Sequence, residues 1–511
     1  MNPLPELPLL LADVPAALRQ ALAQEGVPAV ALRGGRAGKF VLFDSLRGRP
    51  ALAEGQVAID VRPPRAESDC DPLAALADEQ SACHEWRIGG LAVRETVARV
   101  PRALARRRLL AFVRGQVEAA GGLWLRVSPY PRPYRGAFNF RLDHDDYDRE
   151  DFHATLAAIA GHEHAVSHYV CAATHVEHPE ALRRLRDHHV GSHGWRHHTY
   201  RDTADNLLNI GRGIDALRAA GIEPVGFVAP HGRFNAGLLA ALEELGVTHS
   251  SEFSLAYDDL PFFPRESDVL QLPVHPICLG VCLEAARRTT GRASVFVGRP
   301  AGPSRTPDGP AARPTLALSQ SLTEAVRSDS AADILLAHWR DIATQKHAAG
   351  QPMFFYGHPD GRLGRHPRVL RELLAHVSRF DGVWQTTLAG FEQWWRERAA
   401  IDVTVARGDD GIEITAHALP AAHRARLDYF RGNQATQIDL DRPRQTVRAA
   451  ALRWRSLPQP PTGEISPVVK SPGWRAELRR YLDWERVTPV DEISARTWRG
   501  WAKKTLRQVK A

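Results

Sequence analysis

Four short polar clusters, each lying directly behind an apolar run, hold most of the residues in this chain that could do chemistry. In chain order they are RLDHDD (Arg141–Asp146), GSHGWRH (Gly191–His197), APHG (Ala229–Gly232) and FFYGH (Phe354–His358). Crowded carboxylates, an H-x-x-x-H pair and a late single histidine are the residue types a one-metal hydrolase uses. Such a site needs three protein ligands with one position open for water, and a base and an acid besides.

His193 and His197 stand four apart, so in helical or turn geometry both rings share a face and can grip one ion. The chain has 23 histidines, and the neighbouring His188, His189 and His198 read as ordinary surface or core residues. In Asp143-His144-Asp145-Asp146 the carboxylates repel one another, and a cation or a proton must relieve that cost. One of them suits a metal and another a base. Asp146 and Asp148 also suit the N-cap of a helix starting near Asp151, whereas Asp143 is still on the end of the strand. The turn Pro230-His231-Gly232 can aim a backbone N–H at an oxyanion. His358 suits a general acid, and equally a histidine of the turn before Pro359.

These clusters need elements that deliver them to one place. Apolar runs at 137–142, 166–171, 225–228, 269–274, 352–356 and 382–385 read as buried strands. Helical stretches near 150–160, 203–220, 235–244, 332–348, 366–377 and 388–399 fall between or after them. That alternation predicts parallel βα units, with the polar clusters at the C-terminal ends of strands, where a β/α barrel builds its active site. Pro273-Val274-His275-Pro276 ends another strand, which brings in His275 as a further candidate or as a structural turn.

Residues 1–130 read as a separate α/β unit, with a helix over Val14–Gln24, short strands at Ala29–Leu32, Phe40–Phe43 and Val57–Val61, and a helical, arginine-rich Arg94–Gly121. Gly34–Lys39 lacks phosphate-loop spacing and reads as a turn. SPYPRPYRG (Ser128–Gly136) is a linker to the barrel at 137–400. Gly298–Pro314 reads as an exposed insertion. The alternation around Gly408–Gly411 predicts a hairpin that opens a small β-rich unit over 401–455. Leu457–Pro467 is a linker within a final segment, 456–511, that ends in a basic helical tail.

A chain of 511 residues, 44% apolar and 24% charged, is globular and long enough for two or three domains. It has no run of eighteen apolar residues to cross a membrane. No basic residue precedes the first apolar stretch, so the expectation is a cytoplasmic protein without a secretory signal. Five cysteines (Cys70, Cys83, Cys171, Cys278, Cys282) fit reduced thiols. The net charge of +7 is concentrated after Glu492, in Arg496, Arg499, Lys503, Lys504, Arg507 and Lys510. With Trp498 and Trp501, residues 496–511 suit peripheral contact with an anionic membrane at its inner face, or a solvated terminal helix. Charge confined to one tail, without a recognition motif, argues against nucleic acid. Oligomeric state is not legible.

Taken together and in order, the clusters resemble NodB-type polysaccharide deacetylases (carbohydrate esterase family four), over about 137–400. The family presents an Asp pair, then H-[ST]-x-x-H, R-x-P-[FY], and a late strand ending in His. The resemblance implies a distorted (β/α)7-type barrel and an N-acetylated carbohydrate as substrate. It also implies a divalent metal, zinc before cobalt or nickel. Asp143 would be the base and His358 the acid. Asp145 (with Asp146 as rival), His193 and His197 would be the ligands. The N–H of His231, beside Gly232, would serve the oxyanion. Three departures stand out, the first being His231 in place of the aromatic that follows the motif proline. Val228 occupies the place of the arginine that braces the base, leaving Arg141 or Arg233 to substitute. The family's Asp-Trp segment is replaced by SSEFSLAYDD (Ser250–Asp259), in which Phe253 and Tyr257 are candidate walls of an acetyl pocket. A hydrolase of another non-peptide C–N bond and a non-catalytic glycan-binding or scaffold protein are the alternatives.

Overall fold

The computed structural model describes residues 4–63, 71–89, 91–280 and 330–457, together with 474, 478, 481–483, 493 and 497–508. The expected insertion Gly298–Pro314, nearly all of the linker Leu457–Pro467, Cys70, Cys282 and part of the basic tail lie outside these residues.

The chain opens with β1 (Leu9–Ala12), α1 (Ala16–Glu25), β2 (Ala29–Ala31), β3 (Phe40–Phe43) and β4 (Val57–Asp60), a parallel sheet in the order β2-β1-β3-β4. Next come α2 (Pro72–Ala77), the antiparallel hairpin β5 (Ser81–Ile88) and β6 (Leu91–Ala98), then α3 (Arg102–Ala119) and β7 (Trp124–Val127). The expected helix over Arg94–Gly121 therefore begins only after Pro101. Upstream, Leu91, Val93 and Val97 are buried while Ala92 and Arg94 are exposed. That alternation is the period of a strand.

The barrel follows. Its elements are β8 (Gly136–His144), α4 (Arg149–Ile159), β9 (Val166–Val170), α5 (Ala172–His175), α6 (Pro179–Leu185), β10 (Val190–Ser192), α7 (Thr203–Ala219), α8 (Ala236–Glu244), β11 (His249–Ser250), β12 (Leu270–Gln271), α9 (Ser330–Ala348), β13 (Met353–Gly357), α10 (Pro367–Val377), β14 (Val383–Gln385) and α11 (Leu388–Ala400). β10, β9, β8 and β13 form a parallel sheet in that order, and β14 also pairs with β8. β11 and β12 pair separately. Regular ladders do not close the ring. Single backbone bonds span the gaps instead, from Phe227 N–H to His249 O at 2.9 Å and from His275 N–H to Phe354 O at 2.7 Å. The expected strand 225–228 is reduced to one bridge, Ser192 to Phe227. Gly226 there has φ +79°, and a Cβ on it would strike the His249 ring.

All nine residues of β8 are buried. Phe138, Phe140 and Leu142 join the apolar core, while Asn139, Arg141 and Asp143 on the other face make polar contacts. This alternation is what carries the first cluster into the ring.

Beyond the barrel, β15 (Asp402–Gly408) and β16 (Gly411–His417) form the expected hairpin, followed by β17 (Arg426–Arg431), β18 (Gln434–Asp439), β19 (Arg444–Arg448) and β20 (Arg455–Ser456). These strands do not stand apart from the start of the chain. β17 pairs with β7, Leu7 bridges Val405, and Leu9, Phe40, Leu109, Trp124, Val403, Ile414 and Leu427 share one hydrophobic cluster. The hairpin β5–β6 instead adds Ile88, Leu91, Val93 and Val97 to the barrel core. Helix α12 (Trp498–Gln508) is tied at its beginning to the start of α7, where Arg499 meets Asp202 at 2.5 Å and Thr497, just before the helix, donates to Asp205 at 3.3 Å. No helix among the described residues is long and apolar enough to cross a membrane.

Candidate metal centre

Asp145, His193 and His197 converge, with ligand atoms all within 4.8 Å of one another. His193 Nε2 and His197 Nε2 lie 3.2 and 3.1 Å from Asp145 Oδ1. That buried oxygen nevertheless has no hydrogen-bond partner. His193 Nδ1 lies 2.7 Å from the Val228 carbonyl. A carbonyl accepts only, so Nδ1 carries a proton, and in the neutral ring the Nε2 lone pair faces Asp145. This is the tautomer a metal ligand requires. An orphaned carboxylate oxygen beside imidazole lone pairs fits a divalent cation with an N/O ligand set.

The loop that carries the histidines is neither helix nor strand. It is tied to α7 by Asn209. Trp195 N–H donates to its carbonyl at 2.8 Å and Arg196 N–H to its side-chain oxygen at 2.7 Å. The Asn209 amide in turn donates to the carbonyls of Arg196 (3.1 Å) and His198 (3.0 Å). Gly213, one turn along, brings the α7 backbone so near that a Cβ would lie 2.7 Å from Gly194 C.

Asp143 stands two residues before Asp145 on β8. Its Oδ2 accepts from Arg141 Nη2 at 2.8 Å, and both side chains are buried. Arg141 Nη1 donates to Ser251 Oγ at 2.8 Å, and the guanidinium lies over the Tyr356 ring at 4.7 Å. Of the two candidate replacements for the missing arginine, Arg141 is hydrogen-bonded to Asp143. Asp143 Oδ1 is buried without a partner.

His358 follows β13 and puts Nε2 at 3.5 Å from Asp145 Oδ2. Burial holds its imidazole well below the ordinary histidine range, against the opposing pull of Asp145. Burial pushes the Asp145 carboxyl up, but His358 and His197 outweigh it and hold the group well below the ordinary carboxylate range. His231 has φ +57° within its turn, and its ring lies 4.7 Å from that of His197. Its N–H has no acceptor among the described residues. Gly232 N–H is already committed to Ala229 O at 2.8 Å.

The other candidates divide. Phe253 stacks on Tyr356 at 5.6 Å and closes against Gly232, so it walls the site. Asp146 is exposed, its Oδ1 accepting from Tyr147 N–H at 2.9 Å, and it is not part of the ligand cluster. Asp148 caps α4. Tyr257 packs edge-on to His84 and against the barrel core. His275 bonds Asp258 at 2.8 Å, and Lys346 reaches the same carboxylate at 3.0 Å. Arg233 is half-buried beside the turn.

Three residues at the site had not been singled out. Arg362 approaches Asp145 Oδ2 at 3.9 Å. Asp360 has its carboxyl pushed up to about 6 by burial and by Asp145. Asp151 accepts from Gly361 N–H at 2.6 Å and holds the loop after His358. The signal for Asp360 and Arg362 was the string PDGRL directly behind His358; Asp151 carried none.

Residues 141–250 match the family model for polysaccharide deacetylases. Among solved structures, the chain is 20% identical to one from Mycobacterium smegmatis titled as a polysaccharide deacetylase, covering 52% of this chain and 92% of that one at a TM-score of 0.38. A PuuE allantoinase is 16% identical, covering 53% and 93% at a TM-score of 0.37. A family 4 carbohydrate esterase from Streptomyces lividans, in complex with acetate, is 13% identical, covering 49% and 92% at a TM-score of 0.28. No curated protein matches the chain.

Proposed function

From a polysaccharide deacetylase segment at residues 141–250, we propose that this protein is a metal-dependent N-deacetylase acting on an N-acetylated sugar or glycan intermediate of surface-polysaccharide assembly. The observation that carries the reading is the convergence of Asp145, His193 and His197 on one point, two residues along the strand from a braced Asp143.

A divalent ion held by these three residues would supply Lewis-acid polarisation of the amide carbonyl and a lowered water pKa. The chain's own groups do the rest. Asp143, fixed by Arg141, accepts a proton from the attacking water. The His231 N–H, held outward by its left-handed backbone, donates to the oxyanion, a contact worth about 3 kcal/mol in such sites. His358, once it has taken up a proton from solvent, delivers it to the nitrogen as the C–N bond breaks, and Asp143 returns its own proton to solvent, leaving acetate and a free amine. Phe253 and Tyr356 form an apolar wall suited to the acetyl methyl. Exposed Trp498 and Trp501 on the basic tail support a protein lying against an anionic membrane.

The test is elemental analysis of purified protein beside the His193→Ala, His197→Ala double variant, followed by acetate-release assays on N-acetylated sugars. One tightly held divalent ion, lost in the variant together with acetate release, is the expected result. A chain that takes up no zinc, cobalt or nickel on reconstitution would end the proposal. Val228 at the position of the bracing arginine favours a second reading, hydrolysis of a different non-peptide C–N bond. In that case the same metal would accompany release of an acid other than acetate.

A further inference from the structure

At the opposite end of the barrel strands lies a cavity of about 330 Å³ between the barrel and the β17–β18–β20 sheet. Its charged lining is Arg126, Arg135, Arg426 and Arg455 against a single carboxylate, Asp428. Arg126 takes up that carboxylate at 3.0 Å, and Gln437 donates to its other oxygen at 3.1 Å. Among the described residues, the remaining three guanidinium groups make no ion pair. Arg426, only 5% exposed, donates to Ser128 Oγ at 3.3 Å and to the Tyr134 carbonyl. Arg135 has only a 3.5 Å contact with the Asp381 carbonyl, and Arg455 is exposed.

Converging cations in a partly enclosed space repel one another unless an anion joins them. Burial, with the Arg455 and Arg135 charges added, holds the Arg426 guanidinium below its usual range despite Asp428 and Asp439. Guanidinium forks match phosphate oxygens in pairs, and the volume is that of a small-molecule site. We propose that this cavity binds the phosphate or diphosphate group of a small phosphorylated ligand. Arg135, Arg426 and Arg455 are the recognising residues. The site is separate from the metal centre. β8 runs from Gly136, next to Arg135, to His144, and its length at strand rise sets the two roughly 25 Å apart.

The experiment is calorimetric titration of the full-length protein with inorganic pyrophosphate. Arg135→Ser with Arg455→Ser is the test variant, because both side chains are exposed and their loss leaves the core intact. The His193→Ala, His197→Ala variant controls for chelation at the metal centre. Saturable binding that survives the histidine changes and weakens at least about tenfold in the arginine variant is the expected result. Absence of saturable binding, or equal affinity in the arginine variant, would overturn the proposal. Flotation with phosphatidic acid vesicles separates the sources. Retention that depends on Arg135 and Arg455 assigns a lipid phosphate in place of the soluble ligand proposed, and that version too would overturn it.

Discussion

At Asp143 the brace comes from two residues back on its own strand. The i, i+2 spacing of β8 puts Arg141 and Asp143 on one face, and Ser251 and Tyr356 fix the guanidinium from across the ring. In the proposed reaction Arg141→Ala leaves the ligands untouched and the base loosely held. The expected outcome is a fall in kcat of about a hundredfold, the lower end for a general base, with unchanged metal content and partial recovery in Arg141→Lys. Retained kcat in the alanine variant would remove Arg141 from the machinery. Glu252 tests a different property. Burial pushes its carboxyl up to about 7, against the bonds from Ser250 and Ser251. A raised folded-state value means the native protein keeps a proton that the unfolded chain releases near 4.5. Stability is therefore full below pH 4.5, falls as pH rises toward 7, and has lost about 3 kcal/mol above it. Glu252→Gln cannot titrate, so its denaturation midpoints should decline less than wild type between pH 5 and 8. An equal decline in both would show that Glu252 does not set this dependence.

The metal loop depends on α7 as much as on its own sequence. Gly213 would ordinarily weaken a helix by up to about 1 kcal/mol relative to Ala, yet here it admits the backbone of Gly194. Gly213→Ala should improve helix propensity and still push the His193–His197 loop outward. Metal affinity in a chelator competition should drop by about tenfold, the scale of support lost around a ligand shell. Undiminished affinity would show that the loop adapts. This dependence also explains what could be read without coordinates. The His193, His197 pair was legible because its spacing is local, and β8, β13 and the helices α4, α7, α8, α10 and α11 because their periodicity is strong; Asp145, with Asp146 as its rival, came only from the family resemblance. Ser251, Asn209 and Asp151 were silent. Each is an ordinary polar residue that no motif marks: the partners of Ser251 and Asp151 lie 110 and 210 residues away, and those of Asn209 lie in a loop without regular structure. The β5–β6 hairpin was missed because an arginine-rich helix signal was extended back across Pro101 into a strand.

Over the whole molecule, the segments before and after the barrel close one core, and the barrel is bolted to it. Arg398 at the end of α11 donates to the carbonyls of Glu25 and Val127 at 2.6 and 3.1 Å, and Arg106 pairs with buried Asp259 at 2.7 Å. Trp394 of α11 is counted in the flanking core, not in the barrel's. A fragment limited to 137–400 would therefore expose Trp394 and lose the β5–β6 hairpin. It should be recovered insoluble or without a cooperative melt, whereas the full chain melts cooperatively; a soluble fragment with a sharp transition would contradict this. The pairing of Tyr429 with Leu125 also has a temporal consequence. During synthesis the first 127 residues leave the ribosome with one sheet edge open and part of their apolar surface bare, and both stay so until some three hundred further residues have been added. The barrel has time to form in that interval, so its α11 can serve as the platform onto which the early and late strands finally close. Slowing translation beyond residue 400 should lengthen the period in which the amino-terminal segment needs a chaperone's protection.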